Sequence, residues 1–159
     1  MPSDEIRLKI ESDLILTGLD AADRWEAIDR LSDLLLAKGY VTEDYCAKTK
    51  EREQGFPTAL PTQPYAVAIP HTWAEYCREP ALALGILAKP VPWIEMGTKD
   101  RMQQVQIVLL LSITQPEAQV HFLRKVIDFF VKPENQEKLV SSDGVKSLKI
   151  VLEEGLGGG

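Results

Sequence analysis

Tyr65-Ala66-Val67-Ala68-Ile69-Pro70-His71 is a short apolar run closed by a proline and followed by a histidine. Such a run, without polar alternation, is the pattern of a strand buried on both faces. Pro70 fixes its own φ at about −65° and pushes Ile69 into extended geometry, so the chain leaves the strand in one direction. His71 then projects from the end of a buried strand, which is where open α/β sheets place their ligand sites.

Residues 81–88 and 105–113 are two further strand-like runs. Upstream, a short apolar stretch at 14–16 leads into a helix with Trp25, Ile28, Leu31 and Leu35 at helical spacing, Asp20 as its expected N-cap and Gly39 as its stop. Thr42 is the expected cap of a second helix ending near Gln54, which puts Tyr45, Thr49 and Arg52 on one face. Residues 56–64 hold Pro57, Pro61 and Pro64 and read as an irregular loop. The segment with Pro90, Pro92 and Gly97 reads as a loop or irregular hairpin. Downstream, Thr114 and Glu117 form a capping-box pattern ahead of a helix carrying Val120, Leu123, Ile127 and Phe130. Pro133 opens another short helix, and a last one over 142–154 presents Val145, Leu148 and Leu152. Interleaved helices and strands give an α/β fold, a sheet with helices on its faces.

The chain has 159 residues, the size of a single domain. Lys plus Arg is 18 and Asp plus Glu is 24, a formal charge of −6, so a phosphate backbone would repel it and nucleic-acid binding is not expected. The apolar runs fall well short of the roughly 18 residues that cross a bilayer. No basic-then-apolar leader opens the sequence, so a cytoplasmic protein without direct membrane insertion is expected. Gly157, Gly158 and Gly159 read as a mobile tail.

Two histidines carry most of the chemical possibilities. His71 is either a surface histidine at a strand corner or a nucleophile. Imidazole, with a pKa of about 6.5, is mostly neutral at physiological pH, and one nitrogen then holds a free lone pair. If the other nitrogen donates to a backbone carbonyl, the ring is fixed for attack on phosphorus. Arg52, near its helix end, is the cation best placed to hold the phosphoryl oxygens. Pairing of His71 with Glu53 or Glu75 for acid/base chemistry is the competing enzymatic reading. His121 points away from its helix's apolar face, beside Glu117 and Arg124. Cys46 and Cys77 match neither a disulfide framework nor a metal-site spacing, so no metal is expected. The glycine-rich phosphate loops and the G-x-S-x-G motif are missing, so no nucleotide cofactor is expected either. Trp25 reads as core and Trp73 as the rim of the His71 site.

Arg52-Glu53-Gln54, Phe56-Pro57-Thr58 and Val67-Ala68-Ile69-Pro70-His71-Thr72 together resemble the active-site region of the fructose/mannitol-type enzyme IIA domains of the bacterial sugar phosphotransferase system. Pro90-Val91-Pro92-Trp93-Ile94-Glu95-Met96-Gly97 resembles the galactitol-type branch. The resemblance runs from the first helix to Leu156 and frames a domain over 1–156 ahead of the glycine tail 157–159. It implies a mixed β-sheet flanked by helices on both faces. It also implies that His71 accepts a phosphoryl group from the phosphocarrier HPr while Arg52 steadies it. The group would pass to a cysteine of a IIB component, and a separate IIC permease would move the sugar, here galactitol or a related sugar alcohol. A nitrogen-related regulatory phosphoprotein is the alternative. Carriers release their partners, so interfaces of about 1,200 Å² or less are expected. This sequence departs from the family at Gln63-Pro64-Tyr65, where a glycine-containing stretch is usual. It departs again near Glu117 and Ala118, where many relatives place a second histidine; His121, about one turn later, is carried as an auxiliary site residue.

Overall fold

A computed structural model describes residues 7–157. The apolar run before Pro70 forms strand β3 (Ala66–Ala68), and its pairing outlasts the strand, because the Leu111 amide donates to the Pro70 carbonyl at 3.1 Å. Its neighbour is β5 (Met102–Ser112), which runs antiparallel to β4 (Ala81–Ile94) in a long hairpin. The apolar stretch expected near 14–16 is itself a strand, β1 (Ile15–Leu19), parallel to β4. The proline-rich 56–64 segment is not wholly irregular, since Ala59–Leu60 forms a short edge strand, β2, antiparallel to β3. The order β1-β4-β5-β3-β2, with parallel and antiparallel pairs, makes the sheet mixed.

Residues 90–94 belong to the hairpin rather than to a loop. The β4–β5 register shifts between Ile86 and Val91, and Pro90, which has no N–H to donate, sits in that irregularity. Gly97 then turns the chain at φ +78°, a conformation that L side chains rarely adopt.

Strand alternation sorts the core into two layers. Leu82, Leu84 and Ile86 of β4 and Ile107, Leu109 and Leu111 of β5 share one cluster with Phe122, Val126, Phe130, Leu148 and Leu152. These come from α3 (Pro116–Phe130) and α5 (Val145–Leu152), with α4 (Pro133–Val140) adding Leu139. Ala81, Ala83, Leu87, Val108 and Leu110 face the opposite way, onto Ile28, Leu31 and Leu35 of α1 (Arg24–Ala37) and Tyr45 of α2 (Tyr45–Gly55). The product is an α/β fold with helices on both faces of the sheet, as the sequence implies. Among the described residues no helix is long and apolar enough to cross a membrane.

Helix starts are where sequence and structure part. Asp23, not Asp20, caps α1, accepting from the Glu26 amide at 2.9 Å while the Glu26 carboxylate reaches back to the Ala22 amide at 2.6 Å. Thr42 caps nothing with its hydroxyl; its carbonyl accepts from the Tyr45 amide at 3.1 Å, and the residue flanking α2 is Asp44 in a helical conformation. The Thr114–Glu117 box does not close, because Pro116 starts α3 and moves the flanking position to Gln115. Gly144, at φ +90°, delays α5 to Val145, and a π-helical turn at Glu153–Gly157 extends it. The tail residues Gly158 and Gly159 lie outside the described residues.

Gly85 marks where α1 meets the sheet. A Cβ there would lie 3.1 Å from Cδ2 of Leu19 and 3.2 Å from Cδ1 of Leu31. Gly85→Val is therefore expected to lower unfolding free energy by about 1–3 kcal/mol through overpacking, measured by urea denaturation. An unchanged midpoint would contradict this packing.

Candidate active site

His71 lies at the β3 end, fixed on both sides by neighbours. The Pro70 carbonyl is held by β5, and the Thr72 carbonyl accepts from the Gln119 side-chain amide at 2.8 Å. The ring folds back so that Nδ1 lies 2.8 Å from the Ile69 carbonyl oxygen. A carbonyl can only accept, so Nδ1 carries the proton and Nε2 of the neutral ring keeps the lone pair. Nε2 has no hydrogen-bond partner among the described residues, and it is not among the polar atoms sealed from solvent.

The ring is less open than its strand-end position suggests, since His71 is only 7% exposed. That burial, which disfavours the charged form, holds its pKa below the ordinary histidine value. The bond to Ile69 opposes the shift, and the Arg52 charge reinforces it. What reaches solvent is a neutral imidazole with one nitrogen available.

Arg52 stands in the last turn of α2 and is half-buried, and its carbonyl accepts from the Phe56 amide at 2.7 Å. Its guanidinium carbon lies 5.3 Å from the Phe56 ring centroid and 5.2 Å from that of Trp73. The structure thus brings His71, Arg52 and Trp73 together at one end of the sheet.

Glu53 does a different job from pairing with His71. One carboxylate oxygen accepts from the Thr58 amide at 2.8 Å and from Nε1 of Trp93 at 2.7 Å; the other accepts from the Thr58 hydroxyl at 2.8 Å. Burial, partly offset by these donors, pushes its pKa above the usual carboxylate value. The residues of α2 that face the core are Tyr45, Thr49 and Glu53, at i, i+4 and i+8, and Tyr45 donates to the Leu111 carbonyl at 2.6 Å. A glutamate at that spacing was the readable sign of a buried carboxylate. Glu75 is exposed, in the 3₁₀ turn Ala74–Tyr76.

His121 is not brought to the site by any contact. It is exposed on α3 and meets the Phe122 ring edge-on at 5.8 Å. The α3 residue that touches the site loop is Gln119, two positions earlier. Cys46 and Cys77 are free, and their thiols donate to an Asp29 carboxylate oxygen and to the Trp73 carbonyl respectively. Trp25 is half-buried, packed against the core on the α1 side with the Arg24 guanidinium over its ring, whereas Trp93 is fully buried.

Two outcomes follow from this geometry. A group whose folded pKa is depressed contributes stability above its unfolded value, lost as pH falls toward the folded one. NMR titration should therefore place the His71 midpoint below about 6.5, and Arg52→Ala should raise it by removing a like charge; a midpoint above that value would contradict the burial. Glu53→Ala leaves the buried donors at Thr58 and Trp93 without their acceptor. It should cost about 2 kcal/mol of stability, read by denaturant titration.

Comparison with known proteins adds to this picture. A family model described as "Phosphoenolpyruvate-dependent sugar phosphotransferase system, EIIA 2" matches residues 9–155. The chain is 27% identical over 127 residues to the galactitol-specific EIIA component of Escherichia coli strain K12, covering 80% of this chain and 84% of that protein. It is 28% identical over 149 residues to the mannitol-specific phosphotransferase enzyme IIA component of Halalkalibacterium halodurans, covering 91% and 94%. Among solved structures, that of the Escherichia coli complex of enzyme IIAMTL with phosphorylated enzyme IIBMTL superposes with a TM-score of 0.75 at 20% identity, covering 92% of this chain and 99% of that one. At that identity the superposition speaks for the fold, and the family match, over most of the chain, for membership. The chain belongs to the EIIA 2 family of the phosphoenolpyruvate-dependent sugar phosphotransferase system.

Proposed function

We propose that this protein carries a phosphoryl group on Nε2 of His71. It takes the group from phospho-HPr and hands it to the cysteine of a IIB component, in the cytoplasm beside a separate IIC permease. The observation that supports this reading most is the 2.8 Å contact of Nδ1 with the Ile69 carbonyl, which leaves Nε2 as the nucleophile. The Nε2 lone pair attacks phosphorus in line, and the donor's phosphorus–nitrogen bond breaks with its electron pair returning to the donor imidazole. Onward transfer repeats the exchange, with a thiolate as nucleophile and the His71 ring as leaving group. Phosphoryl transfer asks mainly for positioning and charge stabilisation, and the Arg52 guanidinium supplies the charge. The chain's charge of −6 suits a basic donor by long-range steering.

The sugar served is read as galactitol or a related sugar alcohol. Support comes from the 90–97 stretch and from the galactitol-specific relative. Trp93, in that stretch, donates its indole N–H to the Glu53 carboxylate.

The test is incubation with phosphoenolpyruvate, enzyme I and HPr, with labelled phosphate traced to an acid-labile adduct. Wild-type protein should be labelled at His71, and His71→Ala should take up none; label on the alanine variant overturns the reading. Arg52→Ala should slow transfer by about 10²–10³, the scale of losing one charge-stabilising donor.

A further inference from the structure

Arg52 is held without a carboxylate. Among the described residues it has no ion pair and no recorded side-chain hydrogen bond. Its contacts are two aromatic faces, Phe56 at 5.3 Å and Trp73 at 5.2 Å. Both rings are large apolar surfaces left open to water, 65% and 38% exposed. Each is anchored through its backbone to a different part of the site. Phe56 ends α2, its amide bonded to the Arg52 carbonyl. Trp73 lies two residues beyond His71 in extended geometry, ahead of the 3₁₀ turn Ala74–Tyr76, and its carbonyl accepts from the Tyr76 amide at 3.1 Å.

The choice of partner matters chemically. A carboxylate would neutralise the guanidinium and occupy its N–H edge, so an arriving phosphoryl group would have to displace it. An aromatic face attracts the cation through its quadrupole and leaves the in-plane N–H donors unused. The charge then stays near His71 with its donors available.

We propose that Phe56 and Trp73 are positioning residues for phosphoryl transfer at His71, bracketing the Arg52 guanidinium by its faces so that its N–H edge meets the phosphoryl oxygens. This rests on the carrier reading given above. The aromatic pair acts through Arg52 and touches no reacting atom.

The experiment measures kcat and KM for phosphoryl uptake from phospho-HPr by the full chain. Phe56→Leu, Trp73→Leu, the double variant and Trp73→Phe are compared, each with Arg52 present and in an Arg52→Ala background. Both rings are exposed, so the fold should survive, and thermal melts confirm it. The double variant is expected to lose about tenfold in kcat with KM unchanged. Trp73→Phe should retain most of the rate, and the aromatic changes should have no further effect once Arg52 is alanine. A raised KM at constant kcat would make the rings a docking rim and overturn the proposal. So would an equal loss in the Arg52→Ala background, or variants as fast as wild type while His71 is still labelled. Absence of label on wild-type His71 would overturn both this proposal and the carrier reading.

Discussion

The hydrogen bond from Nδ1 of His71 to the carbonyl of Ile69, two residues back in the same chain, sets what the imidazole can do. It joins the imidazole to the strand that delivers it, so ring orientation is set by the sheet. The bond also assigns the proton, leaving a single basic nitrogen facing outward. Burial works with it: a ring held below its ordinary pKa is neutral, and a neutral ring can attack phosphorus. The same carbonyl would be a poor partner for a ring that had to switch tautomers.

Around that ring the protein uses charge in two ways. Glu53 is a buried carboxylate made tolerable by three donors, and those donors come from the segment after α2 and from β4, so the helix end, the loop and the hairpin are tied at one point. Arg52, its neighbour in sequence, carries the opposite charge but is held by ring faces instead. Adjacent residues on one helix turn therefore divide the work: Glu53 is consumed in holding structure together, and Arg52, without an ion pair among the described residues, stays beside His71. The hairpin tip joins this frame as well, with the Met96 amide donating to the Ala59 carbonyl at 2.8 Å.

Much of this was legible in the sequence, for identifiable reasons. The strand before His71 and the long β4 and β5 runs showed because strands covered by helices on both faces need continuous apolar residues. The proline-bounded corner was readable because proline dictates its own backbone and its neighbour's. Helix starts were not, since Asp20, Thr42 and Thr114 are chemically adequate caps, and what chose Asp23, Asp44 and Gln115 was where Pro116 and the tertiary packing allowed each helix to begin. The burial of His71 was invisible too, as was the bond by which Gln119, from a helix more than forty positions downstream, anchors the Thr72 carbonyl next to it. Glu53 read as a possible base because sequence gives no account of the donors converging on it.

In the proposed carrier role, Nε2 of His71 is the atom that bears the phosphoryl group. The most direct test is a phosphorus–nitrogen correlation NMR spectrum of the ¹⁵N-labelled protein after phosphorylation. A coupling from phosphorus to Nε2 of His71 is expected, with the Nδ1 proton still present and bonded. Phosphorus coupled to Nδ1, or carried on any other residue, would contradict that role.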